Sequence, residues 1–372
     1  MIAFSSWLTS LPLLVVLTTG SGAAALRFSV TNLNTLFNLQ PDAQHTPIIS
    51  NMNNAGEFLH ATSFTPLEGG TAQATEAFVE HRDGTRTRFA IPYPTGIFAE
   101  FRLNNRGEVA AILHPDKNSI ETEVWTYSAT GVPTKVAFST SLENLGFNDR
   151  GQISVSNKDE DRAFRYTPGV GWENLGSLSN DGFAVPRGIN NAGAVVGGTS
   201  LGASNSTTPF LYRDGSGMEN IPAPFGLGRA INDNFVITGD GGFVWYANEM
   251  RMDYIFNNQA YGFIRPNDIN GMNQIIGAAS GGSSSTGFLW DDVNGYQILT
   301  NILEDPLAWS VEQAYAINED GWILASGYRG RGVNLPDREY AYLLLRPVPE
   351  PGMAALLLCS GIFCIQRRRR RG

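Results

Sequence analysis

Cysteine is almost missing from this chain of 372 residues: its only two copies, Cys359 and Cys364, stand near the end. Residues 26–347 therefore have no disulfide to lean on and no thiol to act as a nucleophile. Charge is sparse as well, at 16% of residues, and long amphipathic helical patterns are hard to find. The four histidines, His45, His60, His81 and His114, all lie in the first third and none is spaced like the His-x-x-x-His pair of a zinc site. A Gly-x-Ser-x-Gly elbow, a phosphate loop and a dinucleotide fingerprint are also absent. These gaps remove the common routes to covalent, zinc and nucleotide chemistry, and no cofactor is expected. Paired carboxylates for glycoside cleavage stay open, because a channel can gather them from distant parts of a chain.

The sequence is rich in the ingredients of short strands and tight turns. Hydrophobic residues make up 42%, enough for a sizeable core, with 41 Gly and 21 Phe. An apolar residue, Asn, two variable residues and then Gly recur ahead of a strand, as in MNNAGEFL, LNNRGEVA, FNDRGQIS and INNAGAVVGG. The asparagines are Asn53, Asn104, Asn148, Asn190, Asn232, Asn270 and Asn318, separated by 51, 44, 42, 42, 38 and 48 residues. Seven copies near a spacing of 45 define a repeat architecture. The Asn side chain can cap the turn, and Gly three residues on tolerates positive φ. These asparagines are accordingly expected to be structural. In the sixth copy Asn273 replaces Gly and can still reach the left-handed region, whereas Phe235 in the fifth should resist it, so an irregular turn is expected there.

Between these turns runs an aromatic-centred strand: AFVEH, EVWTY, RAFRY, PFLYR, FVWYA, GFLWD and YAYLLL. Six are followed by a turn and a further strand, and the seventh has none downstream. Residues 27–33 have the right alternation to supply the missing partner. The expected fold is all-β: a seven-bladed β-propeller of four-stranded antiparallel blades, its ring closed by N- and C-terminal strands. The closing blade is expected to take three strands from residues 26–62 and one from residues 340–346. The short Asn-x-x-Gly and Asp-Gly turns should share one face and the longer connections the other, with any binding site on the latter or at the mouth of the channel.

The two ends differ from this body. Residues 1–25 carry an apolar stretch and then small residues, with Ala23 and Ala25 placed for cleavage, which is the pattern of a secretory signal peptide. Residues 353–365 are apolar or small and would make a helix of about 20 Å, against about 30 Å of hydrocarbon. Arg367, Arg368, Arg369, Arg370 and Arg371 follow and should stay cytoplasmic. The expected location is therefore outside the cytoplasm, at the cell surface or in the matrix, with the C-terminal helix in the inner membrane before any processing. The net charge is −9; without the five tail arginines, 21 basic residues face 35 acidic ones, or −14. An acidic body disfavours nucleic acid as a partner.

The order Pro349, Glu350, Pro351, apolar helix, Arg cluster resembles the PEP-CTERM sorting signal. That resemblance implies sorting by an exosortase, export through signal peptidase, membrane insertion of the tail, and a producer that makes extracellular polysaccharide. The unit RAFRYTPGVGWENLGSLSNDGFAVPRGINNAGAVVGGTS resembles the HAF family of extracellular repeats, although Arg162, Glu76 and Thr208 stand where the naming His would be.

For function, the expectation is a non-catalytic propeller that binds or organises extracellular polysaccharide. A propeller glycosidase or polysaccharide lyase is the first alternative, and a passive structural module the second. Trp309, in a longer connection, is the candidate for stacking on a sugar, with Arg329 and Arg331 as further contacts. Trp125, Trp245 and Trp290 sit in the aromatic-centred strands and should pack between blades. No metal site is expected; Asp159 and Asp161 are weak calcium candidates, and Asp291 and Asp292 weaker still.

Overall fold

The computed structural model describes residues 26–37, 45–64, 73–93, 97–116, 119, 121–180, 182–200, 207–255, 263–281, 284–330 and 338–348. Residues Arg27–Val348 form one compact unit. Its chain winds through seven antiparallel four-stranded sheets. Blades three to six are consecutive meanders, as in blade four with Ala184–Ile189, Val195–Ser200, Thr207–Arg213 and Gly217–Asn220. Blades one and two follow the same plan and are joined into one ladder by a single backbone pair, Ala74 with Phe98. The first strand of each blade neighbours the first strand of the next, and Ser310–Ile317 neighbours His45–Met52, so seven first strands close a ring around a channel.

Blade seven closes the circle. Its strands Ser310–Ile317, Ile323–Arg329 and Glu339–Pro347 come from the end of the chain, and its outermost strand, Phe28–Asn32, from the beginning. Phe28 pairs with Pro347 and Asn32 with Leu343. Closure by the two ends is as expected, but the division is the reverse of the expected one: three strands are C-terminal and one N-terminal. The reason is local. His45–Met52 already ends in an Asn-x-x-Gly turn and belongs to blade one, which leaves only the segment before it for the latch.

Burial explains why the blades need each other. Second strands are covered on both faces: Ile153–Asn157 and Val195–Ser200 are buried at every residue. Outer strands such as Gly171–Gly176 are largely half-buried or exposed. The apolar clusters straddle neighbouring blades, as where Ala110, Ile112 and Val124 of blade two meet Leu142, Leu145 and Val155 of blade three. One blade alone would leave both faces of its sheet in water.

Among the described residues no helix is long and apolar enough to cross a membrane. This corrects the expectation of a C-terminal helix in the inner membrane. Thirteen apolar residues reach only about two thirds of the hydrocarbon thickness. The expected signal segment 1–25 and the tail from Pro349 lie outside the described residues.

Candidate functional site: the central channel

The repeated asparagine does more than cap its own turn. Oδ1 of Asn148 accepts the backbone N–H groups of Arg150 and Gln152, at 3.0 and 2.9 Å. Its Nδ2 donates to the Asn190 carbonyl of the next blade at 2.8 Å. The same step runs from Asn53 to Asn104, Asn104 to Asn148, Asn190 to Asn232, Asn232 to Asn270 and Asn270 to Asn318. Only Asn318, facing the seam, has an unpartnered Nδ2. A second chain of bonds bridges that seam: Glu319 donates its backbone N–H to Asn54 Oδ1, as Asn54 does to Asn105 and Asn105 to Asp149.

Phe235 adopts φ +62° and Asn273 the same value, and Phe235 N–H bonds the Asn232 carbonyl like its counterparts. The expected irregularity is therefore absent. Packing of the half-buried ring against the apolar cluster that holds Ile231 and Trp245 offsets a left-handed cost of about 1–2 kcal/mol.

These turns frame one mouth of the channel, a cavity of 420 Å³. The apolar residues just before each Asn, Met52, Leu103, Phe147, Ile189, Ile231, Ile269 and Ile317, form a collar around it. The residues just after each Asn include Asp149, Asp233 and Glu319, so this mouth is acidic. Deeper along the axis lies a contiguous cavity of 330 Å³, sharing Phe147, Ile189, Ile231 and Asp268 with the first, and lined by Arg102, Arg187, Arg229, Asn267 and Tyr315.

Bulges aim these side chains. The register shifts in the first strand of every blade, between Ile49 and Asn51, Phe98 and Glu100, Glu143 and Gly146, Pro186 and Gly188, Gly228 and Ala230, Pro266 and Asp268, and Val311 and Gln313. Arg187 and Arg229 are themselves the extra residues of their bulges. A glycine opposite the bulge admits it in blades four to seven. A Cβ on Gly197, Gly239, Gly277 or Gly327 would overlap the carbonyl oxygen of Val185, Leu227, Arg265 or Ser310. The sequence pattern Val-Val-Gly, Ile-Thr-Gly, Ile-Ile-Gly thus encodes a close backbone approach that turns the facing strand toward the axis.

The charges in the inner cavity are unevenly matched. Arg229 pairs with Asp240 through Nε. Arg102 stands 3.6 Å from Glu100, whose carboxylate accepts the N–H groups of Asn144 and Leu145 at 2.8 and 3.0 Å. Asp268 accepts the N–H groups of Ile269 and Ile317, both at 2.9 Å. Burial pushes its pKa up to about 6, helped by the charge of Glu319. Arg187 and Arg265 make no ion pair or hydrogen bond through their side chains with any described residue. Water reaches Arg187, yet surrounding protein lowers its pKa, and the neighbouring charges of Arg229 and Arg265 lower it further. Arg265 is lowered by desolvation and then by Arg229.

The residues singled out from the sequence lie elsewhere. Trp309 is 6% exposed with the Arg329 guanidinium 5.2 Å above its ring, and Arg329 also binds Glu339 at 2.6 Å. Arg331 is outside the described residues, as are the tail residues Pro349, Glu350, Pro351 and Arg367 to Arg371. Asp159 and Asp161 sit in the turn before Arg162–Thr167, and among the described residues no three His, Cys, Asp or Glu side chains gather as a metal site requires. Trp245 and Trp290 are buried between blades. Among the described residues no histidine lines either cavity. In the sequence each of these arginines alone looks like a solvated charge. Their signal was positional: FRLNN, RGINN, RAIND and RPNDING place Arg two to five residues before the repeated Asn.

The fold and this axis define the class: a seven-bladed β-propeller with a charged channel. Solved propellers match over most of the chain. The Staphylococcus aureus virginiamycin B lyase superposes with a TM-score of 0.53 at 13% identity, covering 87% of this chain and all of its own. A streptogramin B lyase structure gives 0.52 at 13%, covering 87% and 98%. The propeller domain of the Pyrococcus furiosus Trilobed protease, described as having an open velcro topology, gives 0.54 at 9%, covering 82% and 98%. At such identities the likeness is one of fold. No protein-family model and no curated protein matches the sequence.

Proposed function

We propose that this propeller is a non-catalytic binding protein that seats a polysaccharide at its central channel. The observation that carries this reading is the set of bulges in blades four to seven that place Arg187, Arg229, Asn267 and Tyr315 on one axial cavity, although each bulge costs ladder hydrogen bonds. Rigid strands hold these groups in place. The buried, arginine-covered Trp309 leaves the channel as the better place for a sugar.

The test is affinity electrophoresis of residues 26–348, the unit that closes on itself, through gels containing acidic or neutral polysaccharide. Slowed migration with unchanged polymer length is the expected result. Unaltered migration in every gel would end the binding reading, and a falling polymer length would replace it with a glycosidase or lyase.

A further inference from the structure

We infer that the channel holds an anionic group of its ligand through Arg187, with Arg229 beside it on the cavity wall and Arg265 within electrostatic reach, so that the polysaccharide bound is an acidic one. This rests on the reading above and adds the chemistry of the ligand.

The case begins with the location of unmatched charge. The protein is acidic overall, at −9, yet its axial cavity collects Arg102, Arg187 and Arg229, with Arg265 close enough to act on both Arg187 and Arg229. Like charges crowd in a space walled by protein, an arrangement that raises the energy of the empty site. The nearby carboxylates act on them without pairing, Glu100 and Glu143 on Arg187 and Asp240 on Arg265, because each has other partners. Asp240 serves Arg229; Glu100 and Asp268 each accept two backbone N–H groups. Arg187 and Arg265 are left with unused donors, and a guanidinium offers a planar fork that meets a carboxylate or a sulfate through two parallel bonds.

The glycines show that this placement follows from the strand geometry. Arg187 projects from a bulge that Gly197 makes possible, and Arg229 from one that Gly239 makes possible. Two bulges in adjacent blades thus bring two guanidinium groups to one level of the axis. The two mouths differ in consequence. Asp149, Asp233 and Glu319 guard the mouth on the Asn-turn face, so an anionic chain is repelled there and admitted from the opposite face. A free carboxylate and a sulfate ester share this chemistry, and the experiment separates them.

Full-length protein and the variants Arg187→Gln, Arg265→Gln and the pair together would be titrated with polygalacturonate, dextran sulfate, neutral dextran and inorganic sulfate. Arg88→Gln, on an outer strand, is the control for surface charge. The expected result is binding of one or both acidic polymers, weakened by salt, at least tenfold weaker in the double variant and unchanged in Arg88→Gln. Melting temperature should hold or rise in the double variant, because repulsion is relieved. Preference for polygalacturonate assigns the carboxylate, and preference for dextran sulfate the sulfate ester. Equal binding of neutral dextran by all variants would overturn the inference and leave polysaccharide binding intact. Failure of every polymer, with inorganic sulfate still raising the melting temperature only when Arg187 and Arg265 are present, would overturn the polysaccharide reading and keep the anion site. No response to any of the four overturns the inference.

Discussion

Two ionisable side chains, one buried and one at the channel wall, pull the acid stability of this propeller in opposite directions. His60 is 1% exposed, stacked on Phe78, and burial with the nearby charge of Arg86 drops its pKa to about 4. The unfolded chain takes up that proton near pH 6.5, so stability is lost as pH falls from 6.5 toward 4, about 2 kcal/mol by pH 5. Asp268 behaves inversely. Its folded pKa of about 6 exceeds the unfolded value, so the folded state gains the proton first and is stabilised as pH falls from 6 toward 4, by about 1 kcal/mol at pH 5. Asp268→Asn should therefore lose about 1 kcal/mol more than the parent between pH 7 and pH 5, read from urea unfolding at the two values. Equal losses would show that Asp268 is ionised throughout.

At the level of strands and turns, the sequence disclosed the frame more readily than the function. The Asn-x-x-Gly turn is a local device, because Oδ1 and the positive-φ residue act within five residues, and local devices repeat visibly. The donor half of each asparagine was hidden, since its partner is a carbonyl about 40 residues away in the next blade. Phe235 shows the limit of propensity: a left-handed aromatic is tolerated when tertiary packing outweighs its local cost. The bulges were also coded, in the glycine of the second strand, but that glycine gains meaning only when the facing carbonyl is known. Gly197→Ala should test this. The new methyl would press on Val185 O, costing about 2 kcal/mol or more and turning Arg187 from the axis. Lower stability in thermal unfolding together with weaker binding of acidic polymer is expected; full binding with lower stability would separate the bulge from the ligand.

The circular molecule depends on one short strand. Phe28 is 1% exposed and Leu33 fully buried, and the ladder from Phe28 to Asn32 covers the outer edge of the last strand from Leu343 to Pro347. Phe28→Ala should cost about 3–5 kcal/mol, as large-to-small changes in packed cores do. Removing Phe28–Asn32 altogether should also bare the strand edge from Leu343 to Pro347, so that association growing with protein concentration appears in size-exclusion chromatography. A monomeric deletion variant with unchanged melting temperature would mean that the other three strands of blade seven hold the ring without help.

The latch also sets an order of events during synthesis. Phe28–Asn32 leaves the ribosome before any other described strand, and its partner Glu339–Pro347 emerges about 300 residues later. Until that partner is made the leading strand has no native neighbour in the sheet, so the nascent chain cannot complete its circle before its final blade has been synthesised.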